Sequence, residues 1–245
     1  MGTTRYRLDA FDADDARACT AEVQRVGSDA STLEAVAQAV VGFLYESLVD
    51  EDGEPACALV RLYKTHPFGR LTPELQEFAR ALLDEEPTPD VRCLTLLGTR
   101  GSQPEWNETR LSRGHRAIPL PSEEVVARLP MVAQLITQLG IEVGDVVRPP
   151  EGSRAIPLSQ QATDVFHVEE AVGSPYLPAQ EEFVIPERIR SAVGFGGVLL
   201  TGDFYATVMF SRVPLSLQVA RTLKILGLPM RVRLLPYAQA KLRTV

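Results

Sequence analysis

The chain has 245 residues, with 25 Lys and Arg against 32 Asp and Glu, for a formal net charge of −7. That length makes one large domain or two small ones and is enough to bury a sizeable core. With 45 % hydrophobic and 23 % charged residues the composition is ordinary for a globular protein and excludes wholesale disorder. The acidic balance argues against general DNA or RNA binding, which needs a concentrated basic surface. No apolar run reaches the roughly 18 residues of a membrane-spanning helix, and the N-terminus lacks the apolar stretch of a signal peptide. The three cysteines, Cys19, Cys57 and Cys93, are widely spaced and odd in number, as expected of reduced, buried thiols in a cytoplasmic protein. No Cys-x-x-Cys occurs, and His66, His115 and His167 form no local ligand pair.

In chain order, residues 14–26 carry Ala16, Cys19, Val23 and Val26 at spacings of three and four. This is a narrow apolar stripe on a short helix that Gly27 stops. Such a stripe packs either on its own domain or on a second subunit, and with the terminal helix it suggests a homodimer. Ser31-Thr32-Leu33-Glu34 reads as a capping box opening a long amphipathic helix through Val36, Val40, Leu44 and Leu48. Asp50-Glu51-Asp52-Gly53 is a turn, and residues 56–63 (ACALVRLY) are a strand. Thr72-Pro73 opens a second helix, and residues 91–97 (VRCLTLL) form another strand. Residues 98–121 show no clear element and read as a long polar loop holding the sole tryptophan, Trp106. Ser122 caps a short helix that Pro130 breaks, and residues 131–139 form the next, closed by Gly140. The run 149–152 (PPEG) is the best internal linker. Residues 183–185 read as a short strand, 189–199 and 204–211 as a hairpin, and Pro214 starts a helix that Gly227 and Pro229 kink or end.

The run IRSAVGFGGVLLTGDFYATVMFSRVPLSLQVARTLKILG resembles the end of a GAF domain. The helix at 31–49 followed by the strand at 57–63 is similar to a GAF start. RCLTLLGTRGSQPEWNETRLSRGHRAIPLPSEE, VFHVEEAVGSPYLPAQEEFVIPERIRS and VGFGG resemble the GAF-like sensory regions found upstream of bacterial histidine kinases and cyclases. The resemblance covers roughly 31–236, after a helical extension at 1–30 and before a tail at 237–245. It implies an α+β fold, a GAF-like antiparallel sheet with helices packed on it, and an elaborated central insertion at 66–147. It further implies a non-enzymatic sensory module for signal transduction: a small ligand would order the 98–121 and 170–182 loops and shift terminal helices at a dimer interface. No kinase or cyclase follows Val245, as expected of a free-standing sensor or a piece of one that acts on a separate output protein.

Candidate ligand-binding residues are Trp106, Arg110, Arg113, His115 and Arg116, an aromatic plane and cations gathered in one loop, joined by Tyr176 from a second loop. The same loop arginines can equally pair with surface carboxylates. His167 alternates with apolar neighbours and either lines a cavity, where it could serve as an axial haem ligand, or is a hydrogen-bonded structural histidine. The glycines of 194–197 lie within or beside a strand rather than before a helix, so they read as a bulge or close backbone approach, not a phosphate loop. Two alternatives remain. One is a thiol-dependent oxidoreductase on the same fold, as in the free methionine-sulfoxide reductases, which would rest on Cys57 or Cys93. The other is a ligand-free dimerisation module.

Overall fold

The computed structural model describes residues 4–150, 164–240 and 242 of the chain. A short β1 (Tyr6–Arg7) precedes α1 (Ala13–Val23). The Asp12 carboxylate accepts the Asp14 and Asp15 amides, and the Asp12 amide donates back to Asp15, so α1 begins in a reciprocal cap. Gly27 follows at φ 63°. Helix α2 (Leu33–Ser47) begins one residue later than the capping pattern suggested, because the hydroxyl that accepts the Ala35 amide is that of Thr32 rather than Ser31. β2 (Leu48–Val49) pairs in parallel with β1.

Next come β3 (Cys57–Pro67), α3 (Pro73–Arg80), β4 (Arg92–Gly101) and β5 (Ala117–Leu120). Three short helices follow: α4 (Glu123–Ala127), α5 (Pro130–Gln138) and α6 (Val143–Val147). Then come β6 (Phe166–Val168), β7 (Ser191–Val198), β8 (Phe204–Ser211), α7 (Leu217–Leu223) and α8 (Gly227–Leu234). Strands β3 to β8 form one antiparallel sheet in the order β5-β4-β3-β8-β7-β6. The architecture is α+β, as expected.

Side chains alternate across this sheet and divide the core in two. Val60, Leu62, Cys93, Leu97, Phe195, Tyr205 and Met209 meet α1, α2, α7 and α8 on one face. Tyr63, Leu94, Leu96, Phe204, Val208 and Phe210 meet α4, α5, α6 and the connecting loops on the other. Two glycines set how closely layers approach. A Cβ on Gly98 would sit 2.7 Å from the Ala37 backbone of α2, and one on Gly196 would sit 2.1 Å from the Tyr205 carbonyl oxygen.

Several expectations are corrected here. Strand β3 runs four residues past Tyr63, through Lys64, Thr65 and His66, which are all buried. Periodicity could not foresee this, because the polar run is stabilised by partners on other strands. The loop expected at 98–121 contains the end of β4 and the whole of β5, so the segment 66–147 supplies two strands of the sheet itself. β5 escaped notice because it is four residues with a proline, which an edge strand tolerates. The strand expected at 183–185 is instead one π-helical turn (Gln180–Val184). The Gln180 amide closes that loop by donating to the Ala171 and Leu177 carbonyls, at 3.0 and 2.6 Å. The α1 stripe of Ala16, Cys19 and Val23 is fully buried within this chain, so it is not the face offered to a second subunit. The 149–152 linker and the 237–245 tail each fall partly outside the described residues.

The three central strands are tied by one carboxylate. Asp203, just ahead of β8, accepts Lys64 Nζ at 2.8 Å and Arg92 Nη1 at 2.7 Å. Lys64 is 1 % exposed, so its charge is retained only through this pairing. Asp203→Asn should therefore cost about 3–5 kcal/mol, measured by urea unfolding. Gly196→Ala should unfold the protein or cost more than about 3 kcal/mol, because its Cβ meets backbone that cannot yield.

Candidate functional site

Two polar groupings are built on β3, one on each face. On the helix-covered face, Lys64 and His66 alternate with Leu62, and their register partners on β4 are Thr95 and Cys93. Asp203 closes the group, and Thr201 Oγ1 donates to its second oxygen at 2.7 Å. His66 is 2 % exposed, and neither ring nitrogen has a hydrogen-bond partner among the described residues. Burial, and then the Lys64 cation, holds its pKa well below 6.5, so the ring is neutral. The Lys64 carbonyl lies near enough to favour the charged form slightly, but it is not in hydrogen-bond geometry.

On the opposite face, Arg61 is the lone charged residue of β3's apolar first half. Its Nη1 lies 3.4 Å from the Tyr63 hydroxyl and its Nη2 3.2 Å from Ser112 Oγ. Its Nε is buried with no partner, and no carboxylate of the described residues pairs with it. A half-buried guanidinium satisfied only by hydroxyls is a ready site for a carboxylate or similar anion. An aromatic cluster lies on the same face. Trp106 and Phe183 meet edge-to-face with centroids at 5.5 Å, and Phe183 meets Phe210 at 4.9 Å.

The residues picked from sequence do not form one site. Trp106 and His115 lie towards the Arg61 side. The Thr99 hydroxyl donates to the Trp106 carbonyl at 2.8 Å, and Thr99 is the register partner of Arg61. His115 is exposed at the surface, yet crowding around its ring, and then the Arg61 cation, lower its pKa below 6.5. Arg110 pairs with Glu108 at 2.6 Å, and Arg116 pairs with Glu74 at 2.7 Å while lying over the Phe78 ring. These two line one small recess beside Thr95 and Thr109. Arg113 is exposed. Tyr176 sits in the 170–182 loop with its amide on Ser174. His167 Nε2 lies 2.8 Å from the Leu215 carbonyl oxygen, joining β6 to the approach to α7. That bond uses Nε2 as a structural clip between two elements.

A recess of about 920 Å³ runs along the outer stripe of α2 past Ala35, Ala39 and Gly42 to Arg100 and Arg110. Its cations are neutralised locally, Arg100 by Glu46 at 3.0 Å and Arg110 by Glu108. Arg61, Tyr63 and Ser112 were missed by sequence reasoning. The available signal was one arginine inside ACALVRLY, where a half-buried strand would carry none without a use.

All three cysteines are unpaired and buried, and burial pushes each thiol up to about 12. Cys57 and Cys93 pack on the helix-covered face, away from Arg61. Among the described residues, no group of three His, Cys, Asp or Glu is placed to hold a metal ion, and no helix is long and apolar enough to cross a membrane.

No protein-family model matches the sequence, and no curated protein matches it. Among solved structures, the chain is similar to the free methionine-R-sulfoxide reductase of Neisseria meningitidis in complex with its substrate. The identity is 12 % and the TM-score 0.51, over 98 % of this chain and 99 % of that one. At this identity the likeness is one of fold, and it supports the GAF-like α+β arrangement. It also corrects the functional expectation. The non-enzymatic sensory reading rested on fold resemblance alone, and the fold here matches an enzyme end to end. The expectation of a non-enzymatic sensory, signal-transducing module is therefore not kept.

Two outcomes follow from the buried groups. The unfolded chain takes up a proton at His66 near pH 6.5, whereas the folded chain does so only at much lower pH. Stability is thus lost as pH falls below about 6.5. Between pH 7.5 and 5.5, His66→Phe should lose roughly 1.4 kcal/mol less stability than the wild type in paired urea titrations. Ellman's reagent should label none of the three native thiols and all three after unfolding.

Proposed function

We propose that the protein is an oxidoreductase on a GAF-like fold, acting on a small, free, carboxylate-bearing molecule that Arg61 anchors. The observation that carries this is Arg61 itself, half-buried, without a carboxylate partner among the described residues, and flanked by the Tyr63 and Ser112 hydroxyls. The fold adds support, since the similar solved structure is a reductase of free methionine sulfoxide, a substrate with a free carboxylate. Trp106 and Phe183 would supply the apolar wall beside the anchor. His115 would lie within the field of Arg61, neutral at pH 7 and available to exchange a proton.

The chain's own thiols take structural places in this reading. Each is buried on the far face or among helices with its pKa raised to about 12, which leaves a negligible thiolate fraction at neutral pH. The two electrons and two protons then come from a dithiol in solution, which closes to its disulfide while the sulfoxide oxygen leaves as water. Three unpaired cysteines also suit a reducing compartment such as the cytoplasm.

The test is turnover of free methionine-R-sulfoxide with dithiothreitol as reductant, comparing wild type, Arg61→Gln, Cys57→Ser and Cys93→Ser. Arg61→Gln should lower kcat/KM about 30-fold or more, because a charge-assisted anchor is worth roughly 2 kcal/mol. The two serine variants should keep wild-type turnover. Loss in Cys93→Ser with Arg61→Gln unaffected would show that the thiol-dependent mechanism operates without this anchor.

A further inference from the structure

One carboxylate joins the two loops that carry the aromatic cluster. Glu187 Oε2 accepts Arg212 Nη2 at 2.7 Å and the Ser102 hydroxyl at 3.1 Å, and its Oε1 accepts Gln103 Nε2 at 2.8 Å. Arg212 Nη2 also donates to Ser102 Oγ at 2.8 Å, and Arg212 Nε donates to the Glu187 carbonyl at 3.0 Å. Ser102 and Gln103 follow β4 and Arg212 follows β8, so three segments distant in sequence meet at this side chain. The turn that presents Glu187 is strained. Arg188 has φ 58°, the one positive value at a non-glycine among the described residues, and left-handed backbone is unfavourable for arginine. The Arg212 fork, set on both the carboxylate and the carbonyl of Glu187, holds the residue next to that strain.

This clamp is linked to both rings by single backbone bonds. The Trp106 amide donates to the Gln103 carbonyl at 3.0 Å, and the Glu187 amide donates to the Phe183 carbonyl at 3.0 Å. Trp106 and Phe183, with ring centroids 5.5 Å apart, therefore inherit their separation from the geometry at Glu187. The Trp106 ring lies directly on β4: a Cβ on Gly101 would come within 2.8 Å of its Cε3 and 3.0 Å of Leu59 Cδ1. Gly101 and Leu59 are register partners, and the next pair on the same face is Thr99 and Arg61. The rings thus stand one same-face step from Arg61 along the strands, roughly 7 Å. The Arg212 side chain is 32 % exposed, so this is a contact of the rim rather than of the core, and its loss is compatible with folding.

We propose that Glu187 is a positioning residue: by gripping Ser102, Gln103 and Arg212 it sets the gap between Trp106 and Phe183, and so fixes the apolar wall that receives the side chain of a ligand held at Arg61. Its effect on turnover rests on the Arg61 reading, whereas its effect on the two rings does not. Glu187 acts through those rings, so its loss weakens binding and leaves the chemical step as it was.

Trp106 is the only tryptophan of the chain, so its fluorescence reports on this wall alone. Emission, acrylamide quenching and urea midpoint would be measured for the full chain and for Glu187→Ala, Glu187→Gln, Gln103→Ala and Phe183→Ala. The same proteins would be assayed for kcat and KM with free methionine-R-sulfoxide and dithiothreitol. Glu187→Ala should raise the quenching constant about twofold and shift emission to the red, as Phe183→Ala does, with a urea midpoint near that of wild type. Glu187→Gln keeps the shape and an acceptor oxygen, and it should recover most of the wild-type signal. KM should rise about tenfold in Glu187→Ala while kcat stays within about twofold of wild type. Unchanged quenching in Glu187→Ala and Gln103→Ala overturns the proposal, and so does a fall in kcat with KM unmoved. If Glu187→Ala does not fold, the quenching of Gln103→Ala, which cuts one bond from the other loop, decides in its place. If wild type itself does not turn over the sulfoxide, the Arg61 reading fails, and the fluorescence still decides whether Glu187 holds the wall.

Discussion

The sheet is organised around a charge that has been taken out of water. Lys64 lies at the middle of the central strand with almost no exposure, and it remains compatible with the fold because Asp203 meets it at 2.8 Å. Desolvation alone would push the lysine towards its neutral form, and the carboxylate opposes that. Arg92 approaches the same carboxylate from β4, so one acidic side chain fixes three strands in register. A one-residue slip of any of them would bury an unpaired charge, which is far more costly than losing a few apolar contacts. The network thus contributes less to net stability than to the choice of a single register.

With the register fixed, the two faces of the sheet take different roles. The face under α2, α7 and α8 is closed tightly by glycines at 98 and 196 and by small residues on the helices, and it buries all three thiols. The opposite face is covered by short helices and by loops, whose backbone is satisfied by turns within the loops and by side chains such as Gln180 and Asn107. Loop cover leaves room for polar atoms that helix packing would exclude, and this is where Arg61 finds hydroxyls instead of a carboxylate.

Much of the fold was legible in local signals. Thr72-Pro73, Ser122 and the hairpin at 199–204 act through neighbours in sequence, and the structure places each as read. The polar end of β3 and the four-residue β5 are held by strand partners far away in the chain, whereas the π-helical turn at 180–184 is held locally, by its own backbone and by the Gln180 side chain, which leaves no periodicity to read. The loop arginines 110 and 116 each meet a glutamate, the arrangement that the sequence reading kept beside a ligand site. Arg61 was overlooked because its environment comes from residue 112, more than fifty positions away.

The sequence by itself determined the class of fold, most helix starts and the central hairpin. These depend on composition, caps and turn chemistry, whose range is a few residues. Only the tertiary structure decided which charges are paired and which stand alone. Lys64, Arg110 and Arg116 were given carboxylates, while Arg61 and Arg231 meet none among the described residues. Whether a cation is structural or available to a ligand depends on distances of a few ångströms between strands and loops distant in sequence. Coulomb energies and desolvation vary steeply over that range, and no periodicity in the sequence records them.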